Sequence, residues 1–378
     1  MRKTFRYRLY PTKAQVESLD GQLGEGCRLY NAALQERRDA WRINRESVNY
    51  YTQANQLKEI RASGDLTLAN FSACQDVLRR VDKTFKAFFA RVKRKAKAGF
   101  PRFKSHARFD SITFPSYGDG CKLIGGKLRL QGVGMLKVKL HRVVEGKIKT
   151  LTVKREAGRW YACLSVECNG QPLPACAESI GIDVGLTAFA TLSDGTEIDN
   201  PRFYKEAQRA LRVAQRRVAR RKRGSHCRRK AVQLLQRAHA HVRHQRSDFH
   251  HKISQWIVAN YGTIAVESLN VKGLAGGMLA KSVSDAGWGM FIEKIAYKAA
   301  NAGRHFFRVN PNGTTQMCSG CGSHVPKDLS QRVHSCSCGL ELGRDHNAAL
   351  NILSRGLRDK DSTCAARQSV SLEAVCFS

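Results

Sequence analysis

The chain has 378 residues, enough for two or three domains with a sizeable core. It carries 65 Lys and Arg against 31 acids, a formal net charge of +34, and self-repulsion of that size calls for a polyanion, so nucleic acid is the expected partner. No stretch approaches about 18 consecutive apolar residues, and the N-terminal MRKTFRYRLYPT lacks an apolar signal core; a membrane-spanning or exported protein is therefore not expected, and a cytoplasmic, nucleoid-associated one is.

In chain order, Thr4–Tyr10 alternates apolar and basic residues, the pattern of a half-solvated strand; Pro11 ends it and Thr12 can cap a helix. From Thr12 to about Val92 the apolar spacing is mostly helical, through Val16, Leu19, Leu23, Leu29, Ala33, Leu34, Leu68, Phe71, Val77 and Val81. Phe85–Lys104 holds eight Lys or Arg, five Phe and no acid, which suits backbone neutralisation with some base stacking. Phe85, Phe88 and Phe89 are spaced like a helix face packing a core, and that reading is preferred for those three.

Between about Ser111 and Val166 the period changes to two, with Gly at the turns, predicting five to seven short antiparallel strands in a small barrel. The Thr4–Tyr10 strand can join it, making the helical part an insertion. Gln171-Pro172-Leu173-Pro174 reads as a linker. Glu178–Leu192 is an apolar strand with one acid, Asp183, flanked by Gly181 and Gly185; the Asp194-Gly195 turn after it predicts a hairpin. Phe203–Ala259 reads as a helical hairpin turning at Gly224-Ser225. Residues Arg202–Lys252 contain 17 Lys or Arg, two acids and six of the twelve His, a density that favours a nucleic-acid channel over a merely solvated face.

Tyr261–Leu269 is a second buried strand, with Glu267 near its end, followed by a Gly-rich loop. Ser282–Gly303 is predicted as one helix, started by Ser284 or Asp285, and His305–Val309 as a further strand. Asp345 falls in the first turn of a helix that opens at Arg344, and the chain from about 358 to 378 shows no sustained pattern and is expected to be a disordered tail.

Two constellations carry chemistry. Asp183, Glu267 and Asp345, in the order strand, strand, helix start, can converge at one edge of a mixed sheet. Such a cluster repels itself unless divalent cations sit within it, and two Mg²⁺ about 3.5–4 Å apart could clamp a phosphodiester; Mn²⁺ is an admissible substitute. Of thirteen cysteines, nine are scattered and read as reduced and structural. The other four, Cys318, Cys321, Cys336 and Cys338, have the spacing of a structural Zn²⁺ site. One residue separates the second pair where two is commoner, so His334 or His324 could replace one thiolate.

These residues resemble a known family. GIDVGL, VESLN and GRDHNAALNI are similar to the three RuvC motifs of TnpB (OrfB-type) proteins of bacterial insertion sequences, and the cysteine ribbon before the third motif fits as well. RLYPT, GFPRF, RSDFHHK from Arg246 and SDAGWG from Ser284 extend the resemblance over nearly the whole chain. It implies a multidomain α+β protein. The parts are a split β-barrel wedge domain (1–10 and 105–175) and a helical recognition domain (11–104), with an RNase H-like RuvC nuclease (176–315 and 339–357) and a zinc ribbon (316–338). It implies an RNA-guided DNA endonuclease related to type V CRISPR effectors, with Asp183, Glu267 and Asp345 as metal-binding catalytic acids and Cys318, Cys321, Cys336 and Cys338 on zinc. A guide RNA, one protein per RNA, and a double-stranded DNA target are the implied partners. A transposase performing strand transfer, or a guide-directed DNA-binding regulator without cleavage, are the alternatives; the intact acid triad argues against the regulator.

Overall fold

The computed structural model describes residues 1–328 and 330–375, without the side chains of 272 and 361–375. It divides into two compact units, 1–169 and 170–378.

In the first unit, β1 (Arg2–Tyr10) alternates in burial, with Phe5, Tyr7 and Leu9 inward and Arg6 and Arg8 less buried on the other side. Helices α1 (Lys13–Asn44), α2 (Tyr50–Ala62) and α3 (Phe71–Lys93) follow. Thr12 starts α1 with a reciprocal cap: its hydroxyl accepts from Gln15 N at 3.3 Å and Gln15 Oε1 accepts from Thr12 N at 3.1 Å. Six strands complete the unit: β2 (Ser111–Phe114), β3 (Cys121–Ile124), β4 (Lys127–Leu130), β5 (Gly134–Lys139), β6 (Lys147–Glu156) and β7 (Arg159–Glu167). They pair with β1 in one antiparallel sheet of order β2-β6-β7-β1-β5-β4-β3. Among the described residues β2 and β3 are joined by the 115–120 turn and not by a ladder, so the sheet stays open at that seam. Its inner face and the helices share one hydrophobic cluster, from Leu9 and Leu164 to Leu34 and Val77, so the helices do not build a separate core.

The second unit begins with β8 (Ser179–Val184), β9 (Ala188–Leu192) and β10 (Glu197–Asp199), then α4 (Phe203–Ala219), α5 (His226–Asn260) and β11 (Thr263–Glu267). It continues through α6 (Val271–Leu274), α7 (Ala280–Ala286), α8 (Trp288–Ala302), β12 (His305–Val309), β13 (Val333–Ser335), β14 (Glu341–Gly343) and α9 (Arg344–Val375). The main sheet has the order β10-β9-β8-β11-β12; β8, β11 and β12 are parallel, while β9 is antiparallel to both of its neighbours. Ile180, Ile182, Ile264 and Val266 point to one face and share a core with Ile257 of α5 and with Phe291 and Ile295 of α8. The residues between them point to the other face, which α9 covers.

Four expectations change, the first being the small barrel, which is an open sheet. The single helix over 282–303 is two, α7 and α8, broken at Gly287, whose φ of +66° ends one and precedes the other. Neither Ser284 nor Asp285 starts a helix, because α7 already runs from Ala280. The tail expected to be disordered from 358 is helical to Val375; no Gly or Pro follows Gly356 to stop α9, and 376–378 lie outside the described residues. The expected linker 171–174 is part of the second unit, with Gln171 N donating to Asn301 O at 2.9 Å and Leu173 N to Ala302 O at 3.0 Å.

Candidate functional site

The parallel register of β8 and β11 pairs Gly181 with Ala265 and Ile182 with Val266, so one step further Asp183 and Glu267 stand side by side. Strand side chains alternate, so Asp183 shares its face with Gly181, and Glu267 with Ala265. That face receives α9. A Cβ on Gly181 would collide with Ala349 O and lie 2.6 Å from Leu353 N, and a Cβ on Gly356 would collide with that of Ala265. Glycine at 181 and at 356 is what lets the helix lie on the strands. Two residues along a strand cover about 6.6 Å and one helical turn about 5.4 Å. Moving from Gly181 to Asp183 therefore corresponds to moving back from Ala349 to Asp345, and the third acid reaches the same end of the sheet.

The electrostatics agree with that geometry. Burial first, then the charges of Glu267 and Asp345, hold the Asp183 carboxyl well above the usual carboxylate range, with Arg344 pulling the other way. Burial also raises Glu267, against a hydrogen bond from Thr314 and the nearby charge of Arg355. Arg344 Nε donates to Asp345 Oδ1 at 3.0 Å. The carboxylates feel one another's charge, but their oxygens do not all lie within 4.8 Å of one another. The chemistry of the donor set, three hard oxygen ligands, fits a divalent cation of the Mg²⁺ class.

The four thiols of Cys318, Cys321, Cys336 and Cys338 do lie mutually within 4.8 Å, and among the described residues they are the group of three or more metal-type ligands that does so. Cys318 Sγ is 3.7 Å from Cys338 Sγ and Cys321 Sγ is 3.6 Å from Cys336 Sγ. A tetrahedron with metal–sulfur bonds of about 2.3 Å has edges of about 3.8 Å, so these separations match a four-thiolate metal site. Neither histidine joins it: His324 Nε2 faces Gln316 Oε1 at 3.0 Å, and the buried His334 is turned to Lys327. The short Cys336–Cys338 spacing follows from its place at the tip of the β13–β14 hairpin, where Cys336 N donates to Leu340 O. The expected ribbon end at 338 is that tip, and the hairpin closes only at Gly343.

Several polar residues around the acids were not read from sequence. Thr314, fully buried, donates its hydroxyl to Glu267 Oε1. Asn347 and Asn351, one turn apart on α9, bind the backbone of 314–319. Their i, i+4 spacing in NAALN marks one helix face, whereas Thr314 in its NPNGT turn carries no signal. RSDFHHK and SDAGWG meet as a latch: Arg246 Nη2 lies 3.0 Å from Asp285 Oδ1, and His250 Nε2 lies 2.9 Å from Ala286 O. Asp285 also accepts from Tyr204 N at 2.9 Å, capping α4, which has no side-chain cap of its own. At the end of α4 and in the turn after it, Arg216, Arg217, Arg220 and Arg221 with Val213 line an open groove of about 590 Å³.

Comparisons with known proteins place these features in context. Residues 152–277 match the OrfB family model described as "Probable transposase", 288–352 match "Cas12f1-like, TNB domain", and 1–46 match "Helix-turn-helix domain". The last stretch is here one strand and one uninterrupted 32-residue helix. A protein of Streptomyces pristinaespiralis, provisionally named RNA-guided DNA endonuclease, is 34% identical over 368 residues, spanning 94% of this chain and 90% of that one. The Escherichia coli K12 protein InsQ, named in the same provisional way, is 28% identical, spanning 94% and 92%. The solved structure described as a Cas12f1-sgRNA-target DNA complex superposes with a TM-score of 0.59 at 16% identity, covering 93% of this chain and 98% of that one.

Proposed function

The chain belongs to the OrfB/TnpB family of transposon-encoded proteins, relatives of Cas12f1, and on that premise we propose that it is an RNA-guided DNA endonuclease of an insertion sequence. It binds a transposon-derived guide RNA, one protein per RNA, and hydrolyses double-stranded DNA beside a short flanking motif inside the bacterial cell. The observation that carries the reading is the meeting of Asp183, Glu267 and Asp345 on one sheet face in a chain of net charge +34. The strand order, with parallel β8 and β11 bearing two of the acids, supports an RNase H-like, RuvC-type nuclease.

Asp183, Glu267 and Asp345 are the catalytic acids and would hold two Mg²⁺, or Mn²⁺ in their place. When bound, such cations activate a water and stabilise the leaving oxygen of a phosphodiester. The chain's own part is to hold the three carboxylates together against their repulsion, through a buried sheet face and a helix packed on glycine. Arg344 sits beside Asp345 and steadies the helix start. The exposed arginines at the end of α4 and just after it neutralise phosphates of the nucleic-acid backbone. The four thiolates hold a structural Zn²⁺, since a four-cysteine site leaves no open position for chemistry.

Cleavage of a double-stranded plasmid by purified protein, with and without transposon-end RNA, in Mg²⁺ and in EDTA, tests this. Cutting at the sequence the RNA specifies, dependent on RNA and Mg²⁺ and lost in Asp183→Ala, is the expected result. Guided binding by wild type without cutting would leave a regulator. Cutting of transposon ends without RNA would leave the strand-transfer enzyme that the family description names.

A further inference from the structure

The segment between β12 and the first cysteine pair runs directly from the acid cluster to the thiolate cluster. Thr314 is 1% exposed, and its β-branched side chain has little rotational freedom. Its hydroxyl faces Glu267 Oε1 and, at 3.0 Å, the carbonyl of Pro311. Both neighbours only accept and the hydroxyl has one proton, so the charged oxygen takes the stronger bond. That bond holds the rotation of the Glu267 carboxylate.

Helix α9 in turn holds Thr314. Asn351 Nδ2 donates to Thr314 O at 2.9 Å and to Met317 O at 2.7 Å, using both of its protons. Asn347 Nδ2 donates to Met317 O at 2.8 Å, and its Oδ1 accepts from Ser319 N at 2.9 Å. Arg355 Nη1 binds Asn310 O at 2.7 Å and Asn312 O at 2.8 Å. Met317 and Ser319 flank Cys318, so the backbone around the first thiolate is clamped by the helix whose first turn carries the third acid.

We propose that Thr314 is a positioning residue for Glu267, and that Asn351 and Asn347 link its segment to the Cys318 knuckle, so that the thiolate site sets the geometry of the carboxylate site. The inference rests on the reading of the acids as a divalent-cation site. Groups that orient a ligand without touching the metal typically contribute about 10–100-fold in metal affinity. Thr314→Val keeps the shape and removes the proton donor; Thr314→Ser keeps the donor.

The test is a Mn²⁺ titration of the full-length protein followed by electron paramagnetic resonance, with zinc content measured on each sample. Asp183→Ala supplies the background from other sites. Thr314→Val is expected to lose about 10-fold or more in Mn²⁺ affinity with zinc content unchanged. Thr314→Ser should stay near wild type, and Asn351→Ala should weaken Mn²⁺ binding while Thr314 is still present. Wild-type affinity in Thr314→Val, beside a clear loss in Asp183→Ala, overturns the positioning role alone. Unchanged affinity in Asp183→Ala removes the cation-site reading and this inference with it. If Thr314→Val does not fold, Asn351→Ala decides, and wild-type affinity there overturns the link.

Discussion

Asp183 is a carboxyl that folding makes harder to ionise, by burial first and then by the charges of Glu267 and Asp345. Its folded pKa lies above the unfolded value of about 3.9, so the stability it contributes is intact below that pH. That contribution is lost as pH climbs through the raised folded pKa, because over that interval the native state binds the extra proton. At neutral pH in EDTA the cluster therefore destabilises the fold. Asp183→Asn should abolish cleavage yet raise Tm, by about 2–4 °C for each kcal/mol recovered, and the gain over wild type should grow as pH rises above about 4 in thermal melts. No such gain would mean that the carboxylates are not under strain from one another. Asp183 and Glu267 stand out in the sequence as lone charges in apolar runs, and Asp345 as the acid in the first turn of a helix. Thr314 does not, since a threonine in a turn looks the same whether it faces water or a carboxylate 47 residues earlier in the chain.

At the scale of elements, α9 is the part on which the site depends. It carries Asp345 in its first turn, lies on β8 and β11 through Gly181 and Gly356, and clamps the cysteine knuckle through two asparagines. Gly181→Ala should cost about 1–3 kcal/mol by overpacking and displace the start of α9, so cleavage should fall more steeply than thermal stability. Equal activity at equal folded fraction would show that this contact only packs the helix. Periodicity predicted the strands and the α4–α5 hairpin because those patterns are local. The break at Gly287 escaped it, since a single glycine in a helical pattern is compatible with either continuation or a stop. Asp285 was misread as a helix start for a related reason: its carboxylate caps α4, whose first turn lies 81 residues earlier.

At the scale of the whole molecule, a net charge of +34 makes phosphate neutralisation the main term in binding. The basic stretch 202–252 is in large part the hairpin α4–α5, and its exposed arginines at 216, 217, 220 and 221 line one groove. The double variant Arg216→Ala/Arg220→Ala should lower the slope of log affinity against log salt by about 0.7–0.9 for each phosphate contact removed, read by filter binding of guide RNA over a KCl series. An unchanged slope would take those arginines out of the nucleic-acid surface.

By itself the sequence determined the class of partner, the spacing of the four thiols, the alternation that builds the first sheet and the apolar runs of the second, and it singled out three acids as candidates. Each of these is written in charge, spacing or period. Only the tertiary structure decided that Asp183 and Glu267 are neighbours, that Asp345 comes down beside them, and that neither His324 nor His334 joins the thiols. It alone revealed the polar thread of Thr314, Asn351 and Asn347 between the two clusters. Those facts depend on a parallel strand register and on how closely a helix can approach two glycines, and both are set by packing between segments far apart in the chain.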